Sequence, residues 1–149
     1  MTMALTSSSF PGGGDIPQRH GKKVDNVSPQ LSWTGAPKEA MSFALAMVDT
    51  HPVAEGYVHW LVVDIDAATT SLPEAAADGA MPAGSRELKP YAGPFPPSGA
   101  HEYELTLYAL DAKTLPLPPN VPLDEFEARI KGRTLATARI VGQFTKTPA

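Results

Sequence analysis

The clearest pattern in the chain is an alternation over residues 101–109. His101, Tyr103, Leu105, Leu107 and Ala109 fall on one face, and Glu102, Glu104 and Thr106 on the other. That is the two-residue period of a half-buried strand. A second run puts Tyr57, His59, Leu61, Val63 and Ile65 on one face and Val58, Trp60, Val62 and Asp64 on the other. Both faces are largely apolar, which predicts a central strand covered on two sides. The continuous run Phe43 to Val48 ends at Asp49 and is short for a helix, so it predicts a third interior strand. A last strand is expected from about Leu135 to Phe144, with Ala138, Ile140 and Phe144 on one face and Thr137, Arg139 and Gln143 opposite.

One helix is expected. Leu123, Phe126 and Ile130 have helical spacing, Pro122 suits its first turn and Gly132 its stop. Residues 10–37 read as loop, punctuated by Gly12-Gly13-Gly14, Pro17 and Asn26-Val27-Ser28-Pro29. The glycine triplet is read as a turn and not a phosphate cradle, because no strand precedes it and no G-K-S/T follows. Thr69 to Pro73 breaks the strand order, and Pro90 to Gly99 forms a stiff proline loop. An aromatic–proline step in a tight turn favours a cis bond, so one is expected at Phe95-Pro96. Short alternating runs separated by turns imply an all-β sandwich with one or two short helices, a single domain over residues 1–149.

Composition supports this reading. Sixteen prolines and twelve glycines in 149 residues disfavour long helices. Net charge is −4, and the longest basic run is the pair Lys22-Lys23. Neither a nucleic-acid footprint nor a basic cluster for an acidic membrane face is expected. The absence of cysteine excludes disulfides, thiolate metal sites and cysteine nucleophiles. Met1 to Phe10 lacks the basic start and apolar stretch of a secretion signal, and no apolar segment approaches the roughly 18 residues of a membrane span. A cytoplasmic protein without membrane insertion is expected; any lipid contact would be with a headgroup or an extracted molecule.

Three residue types stand out chemically. His59 and His101 lie on predicted core faces near turns, where an imidazole needs a hydrogen-bond partner or a cavity. Asp49 closes an apolar strand; it either caps a turn or sits beside a histidine, where it would favour the cationic ring. A cationic imidazole with a tyrosine hydroxyl makes a receptor for phosphate or carboxylate. The proline loop has few N–H groups (Gly93, Phe95, Ser98 and Gly99), and isolated donors on rigid backbone can form an anion nest. Asp49, His51, His59 and His101 are also metal-ligand types, but no H-E-x-x-H or comparable spacing supports a metal.

Several blocks in order resemble the phosphatidylethanolamine-binding protein family, in its bacterial Raf kinase inhibitor-like branch. They are Asn26-Val27-Ser28-Pro29, Leu31-Ser32-Trp33, Gly35-Ala36-Pro37 and Ser42-Phe43-Ala44-Leu45, then Asp49 through Val58-His59-Trp60. Tyr91-Ala92-Gly93-Pro94-Phe95-Pro96-Pro97 with His101-Glu102-Tyr103 follows, and then Leu107-Tyr108-Ala109-Leu110-Asp111. The resemblance implies a Greek-key β-sandwich and a pocket for phosphate-like anions, including the phosphoethanolamine headgroup. It makes Asp49 the pocket acid, His59 and His101 the pocket histidines, and Tyr103 a hydroxyl donor to the anion. Phe95, Pro96 and Pro97 fall on the pocket wall, and Tyr57 at the mouth. It implies no cofactor.

Two departures bear on the ligand. Where the family usually has D-P-D-A-P, this chain has Asp49-Thr50-His51-Pro52-Val53, so His51 replaces a second acid. A pocket with one carboxylate fewer favours a plain anion over a zwitterion. Phe95 stands where a small residue is common and would narrow the pocket. The additional C-terminal helix of some eukaryotic members is not expected after Phe144. The leading function is therefore a non-enzymatic binding module for a small anion, a phospholipid headgroup or a phosphorylated side chain, in a family tied to control of kinases. A protein partner and a homodimer stay open. The alternative is acid–base catalysis by the same Asp49, His59, His101 and Tyr103, against which no G-x-S-x-G nucleophile motif is found.

Overall fold

The computed structural model describes residues 2–146. Eight strands form in chain order: β1 (Ala4–Thr6), β2 (Leu31–Thr34), β3 (Ser42–Asp49), β4 (Val58–Asp66), β5 (Ser71–Leu72), β6 (Arg86–Lys89), β7 (Ala100–Leu110) and β8 (Thr134–Thr145). One helix, α1 (Leu123–Ile130), precedes β8, and 3-10 turns lie at Gln18–His20 and Pro52–Ala54. The strands make two antiparallel sheets, a small one in the order β1-β2-β5 and a large one in the order β6-β4-β3-β7-β8. This is the expected all-β sandwich.

The large sheet is covered on both faces. On one, Phe43, Leu45, Met47, Trp60, Val62, Leu105 and Leu107 pack with Leu5, Leu31 and Trp33 of the small sheet. On the other, Ala44, Ala46, Leu61 and Val63 pack with Leu115, Leu117, Phe126 and Ile130 from the segment around α1. Double coverage explains the unbroken apolar run of β3, since both faces of that strand are packed against other elements. Pro122 stands just before the helix, one place earlier than expected, and Gly132 turns the chain out of it at φ 85°.

The expected single alternation of β4 is broken at both ends. Its register with β3 shifts between Met47 and Val48, where the partners are Trp60 and Val58, and again between Phe43 and Leu45. Each shift inserts one extra residue into β4, a β-bulge. The second lies by Asp64, whose φ is 60°. Leu61 and Val63 therefore face the helix side, whereas Ile65 joins Trp60 and Val62 on the side of the small sheet. At the first bulge His59 falls on the same side as Trp60, its ring packed on Tyr103 of that core.

Four short strands depart from the sequence reading. β2 forms within the expected 10–37 loop, and β5 pairs with it where a break was expected. β1 and β6 were not expected either; two to four residues carry too little alternation to register. The expected cis bond at Phe95-Pro96 is absent, since the described residues contain no cis peptide. Residues 90–96 run without a turn. They are held straight by bonds from Gly93 N–H to Asn26 Oδ1 and from Lys22 N–H to the Pro94 carbonyl. The glycine triplet spends its donors internally, Gly13 N–H on Val141 and Gly14 N–H on Pro11, as its reading as a turn requires.

Candidate functional site

In an antiparallel sheet the end of one strand lies beside the start of its neighbours. Asp49 ends β3, His59 lies near the start of β4, and His101 near the start of β7. Because β4 and β7 flank β3, all three side chains reach one end of the large sheet. There they line a cleft of ≈ 330 Å³ together with Lys22, Tyr57, Phe95 and Pro97.

Asp49 and His101 are a buried pair, with side chains 5% and 2% exposed and Asp49 Oδ2 2.7 Å from His101 Nδ1. The carboxylate accepts, so Nδ1 donates and Nε2 is the ring nitrogen left over. The other oxygen, Asp49 Oδ1, accepts the His51 backbone N–H at 2.9 Å. Both carboxylate oxygens are thus engaged, and the acid also fixes the turn that follows β3.

His59 is held differently. Its Nδ1 donates to the Ala92 carbonyl at 2.6 Å, and its own carbonyl accepts the Ala92 N–H at 2.8 Å. This double contact ties the first bulge of β4 to the proline loop and again leaves Nε2 over. Burial pushes the His59 pKa below its ordinary value, opposed by the Ala92 carbonyl and the Asp49 charge. At neutral pH the ring is neutral.

Tyr103 lies behind the cleft rather than on its lining. Its ring centroid is 5.1 Å from that of His59 and 6.5 Å from that of His101. Its hydroxyl is buried and makes no hydrogen bond among the described residues. Burial and the nearby Asp49 charge push its pKa well up, so it stays a phenol.

The remaining expected residues divide. Tyr57, Phe95 and Pro97 line the cleft, Tyr57 with its ring edge-on to His59 at 4.8 Å. Pro96 is buried and lines a neighbouring depression with Lys23 and Lys146. His51 is exposed and stacks on His101 at 4.0 Å between centroids, roofing the pair without lining the cleft.

Sequence reasoning missed Lys22, Val53, Ala54 and Ala92, which also line the cleft; Gly93 lines it too, but its N–H, read as a free donor for an anion, is spent on Asn26. Ala92 belongs to the Tyr91–Pro97 block and was within reach. Lys22 arrives from a distant loop, and no local signal marks it. A fourth histidine, His20, was also passed over. It is fully buried, donates through Nδ1 to the Val27 carbonyl at 2.7 Å, and has an unpartnered Nε2 3.5 Å from Glu74. Among the described residues no group of three or more metal-ligand side chains clusters.

The fold and this cleft define a class: a two-sheet β protein with a buried Asp–His pair and a second histidine at one end of the larger sheet. Comparison with known proteins makes it specific. The sequence model described as phosphatidylethanolamine-binding protein matches residues 6–145, and the chain belongs to that family. A UPF0098 protein of Methanothermobacter thermautotrophicus is 35% identical over 97% of this chain and 99% of its own length. The UPF0098 protein YbhB of Escherichia coli is 31% identical over 96% and 100%. The crystal structure of E. coli YbcL, described as a new member of the mammalian PEBP family, superposes with a TM-score of 0.88 at 28% identity, covering 99% of this chain and 100% of that one. The PEBP homolog CT736 of Chlamydia trachomatis gives 0.84 at 27% identity, over 98% and 99%.

Proposed function

We propose that the chain is a non-catalytic receptor for small oxyanions, taking inorganic phosphate or sulfate, a carboxylate, or the phosphate of a lipid headgroup or modified side chain. The observation that carries this reading is the shared orientation of two histidines on one cleft. In both, Nδ1 is committed to a protein acceptor, leaving Nε2 as the group available to a ligand. A protonated Nε2 is a charge-assisted donor, the kind of group that holds an oxyanion. The Tyr103 hydroxyl, buried and unpartnered, supplies a further donor once a ligand or a small rotation brings an acceptor to it. Lys22 on the lining adds positive charge. The family's description as phosphatidylethanolamine-binding agrees with a phosphorylated ligand. Replacement of the usual second acid by His51 favours a plain anion over an ammonium-bearing one.

His59 is neutral before binding, so binding of an aprotic dianion to its Nε2 is coupled to uptake of a proton from solvent. Sulfate does not titrate near neutrality, and calorimetric titration with sulfate isolates the protein's own protonation. Tighter binding at pH 6 than at pH 8 is expected. Equal or weaker binding at pH 6 would refute the reading.

One observation favours catalysis instead: Asp49 orients His101 as a carboxylate orients a general base. Against it, no serine, threonine or cysteine lines the cleft among the described residues. Turnover of a phosphate or carboxylate ester, abolished in His101→Ala, would establish that alternative.

A further inference from the structure

Lysines that look scattered along the chain gather around the mouth of the cleft. Lys22 lines it. Lys23 and Lys146 line the depression beside it, with Phe95, Pro96 and Pro97. Lys23 Nζ lies 4.4 Å over the Phe95 ring and Lys22 Nζ 5.8 Å from it, while Lys89 Nζ lies 5.0 Å over Tyr57. Four of the chain's seven lysines therefore stand on one rim of a protein whose net charge is −4. They are also unneutralised. Four of the five arginines pair with carboxylates, but among the described residues none of these four lysines does.

The same rim carries exposed apolar surface. Among the described residues six large hydrophobic side chains are exposed, and three of them, Val53 (60%), Tyr57 (45%) and Phe95 (44%), line the cleft. They come from two separate loops, 50–57 and 90–99. The acidic residue in the first is Glu55, exposed after the Pro52–Ala54 turn. Asp25, close to Lys23 in sequence, lines a different depression with Asn26, Ser28 and Asp78.

We infer that this lysine–aromatic rim docks the protein on an anionic bilayer surface, with Phe95, Tyr57 and Val53 entering the headgroup layer and Lys22, Lys23, Lys89 and Lys146 meeting acidic lipids. Interfacial binding combines apolar area with attraction between basic residues and anionic headgroups, and aromatic rings favour that layer. An acidic protein segment is the competing occupant. It is less well served, because the loop has little main chain to offer it. Pro94, Pro96 and Pro97 have no N–H, the Gly93 N–H is spent on Asn26, and the Pro94 carbonyl on Lys22. A bilayer needs no such pairing. The docking is peripheral, and no helix among the described residues is long and apolar enough to cross a membrane. The apolar part of the rim is shared with the cleft lining, and Lys23, Lys89 and Lys146, outside that lining, separate its test from oxyanion binding.

Co-sedimentation of the full chain with vesicles tests it, using phosphatidylcholine alone and phosphatidylcholine with phosphatidylglycerol. Binding to the anionic vesicles only is expected, with release as salt is raised toward about 1 M, where the screening length is roughly 3 Å. The triple variant Lys23→Gln, Lys89→Gln, Lys146→Gln should lower partitioning about a hundredfold, at roughly fivefold per lysine. Its sulfate affinity should change far less than its vesicle binding, because these three do not line the cleft and Lys89 reaches His59 only through its charge. Phe95→Ser should weaken vesicle binding with all lysines intact. No binding to anionic vesicles, equal binding to neutral ones, or indifference to the triple variant would each overturn the inference. Lysine-dependent binding to polyglutamate with none to vesicles would assign the rim to an acidic protein instead. Loss of sulfate binding alone would bear on the cleft and not on the rim.

Discussion

The molecule holds two sites built from the same parts and finished differently. At each, a buried histidine donates through Nδ1 to a fixed oxygen and has a carboxylate near it: His101 with Asp49, and His20 with the Val27 carbonyl and Glu74. His101 opens on a cleft. His20 is sealed, its buried Nε2 making no hydrogen bond and lying 3.5 Å from Glu74. The carboxylates differ as well. Asp49 is buried and bonded through both oxygens, whereas Glu74 is 40% exposed and held by Arg19 and Ser9. Burial alone therefore does not make a site. What distinguishes the first is that its free ring nitrogen has somewhere to put a ligand.

The largest effect should come from the buried acid. Asp49→Ala leaves His101 and the His51 N–H without their acceptor, and should cost about 3 kcal/mol in urea unfolding and abolish sulfate binding. A stable variant that binds normally would mean that Asp49 only caps its strand. The two histidines should then separate by readout. His101→Ala should weaken sulfate binding about a hundredfold, the loss expected for one charge-assisted hydrogen bond, while the fold survives. His20→Ala should leave sulfate binding untouched and cost about 2 kcal/mol of stability through the cavity it opens. If both variants lose binding alike, the contrast between the sites fails.

Acid sharpens the same contrast. Burial lowers the pKa of both His20 and His59 below 6.5. A histidine that binds protons less readily folded than unfolded contributes stability that is present above about pH 6.5. That stability is lost as pH falls through the window between the unfolded and folded values, because the unfolded chain then binds the extra proton. Unfolding free energy should fall from pH 7 to pH 5, by at most about 1.4 kcal/mol per pH unit for each ring. Saturating sulfate should offset the His59 share and leave the His20 share, which His20→Phe removes. Smaller still, Tyr103→Phe deletes a buried hydroxyl that has no partner. Stability should hold or rise by up to about 1 kcal/mol, while sulfate affinity falls about fivefold. A loss of stability with unchanged affinity would show that the phenol is only a structural element.

Much of this was legible from residue order, and the gaps have physical causes. The alternation of β7 correctly placed His101 and Tyr103 inward, because that strand pairs with β8 over its length and with β3 from Tyr103 onward, and shifts register only at its last residues. The run ending at Asp49 was legible because β3 is buried on both faces. The face of His59 relative to Leu61 was not, since a bulge inverts the period and leaves no mark in a list of apolar residues. Nor was the lysine rim, which joins positions from 22 to 146 and exists only once the sheets have closed. The cis bond was expected from a dipeptide preference that the straight, tethered path of the loop overrides. His20 was passed over because its surroundings show no period at all.

The strand order has a consequence for synthesis. β3 pairs locally with β4, but its other edge waits for β7, so Asp49 has no His101 until 52 more residues have been made. β7 in turn exposes its far edge until β8 arrives to pair along its whole length. A nascent chain ending before Thr134 presents an eleven-residue strand with one open edge and one apolar face, the kind of edge on which chains aggregate. The Asp49–His101 pair can thus form before that edge is protected, and a chain stopped before Thr134 would carry the histidine pair on a sheet with an open, aggregation-prone edge.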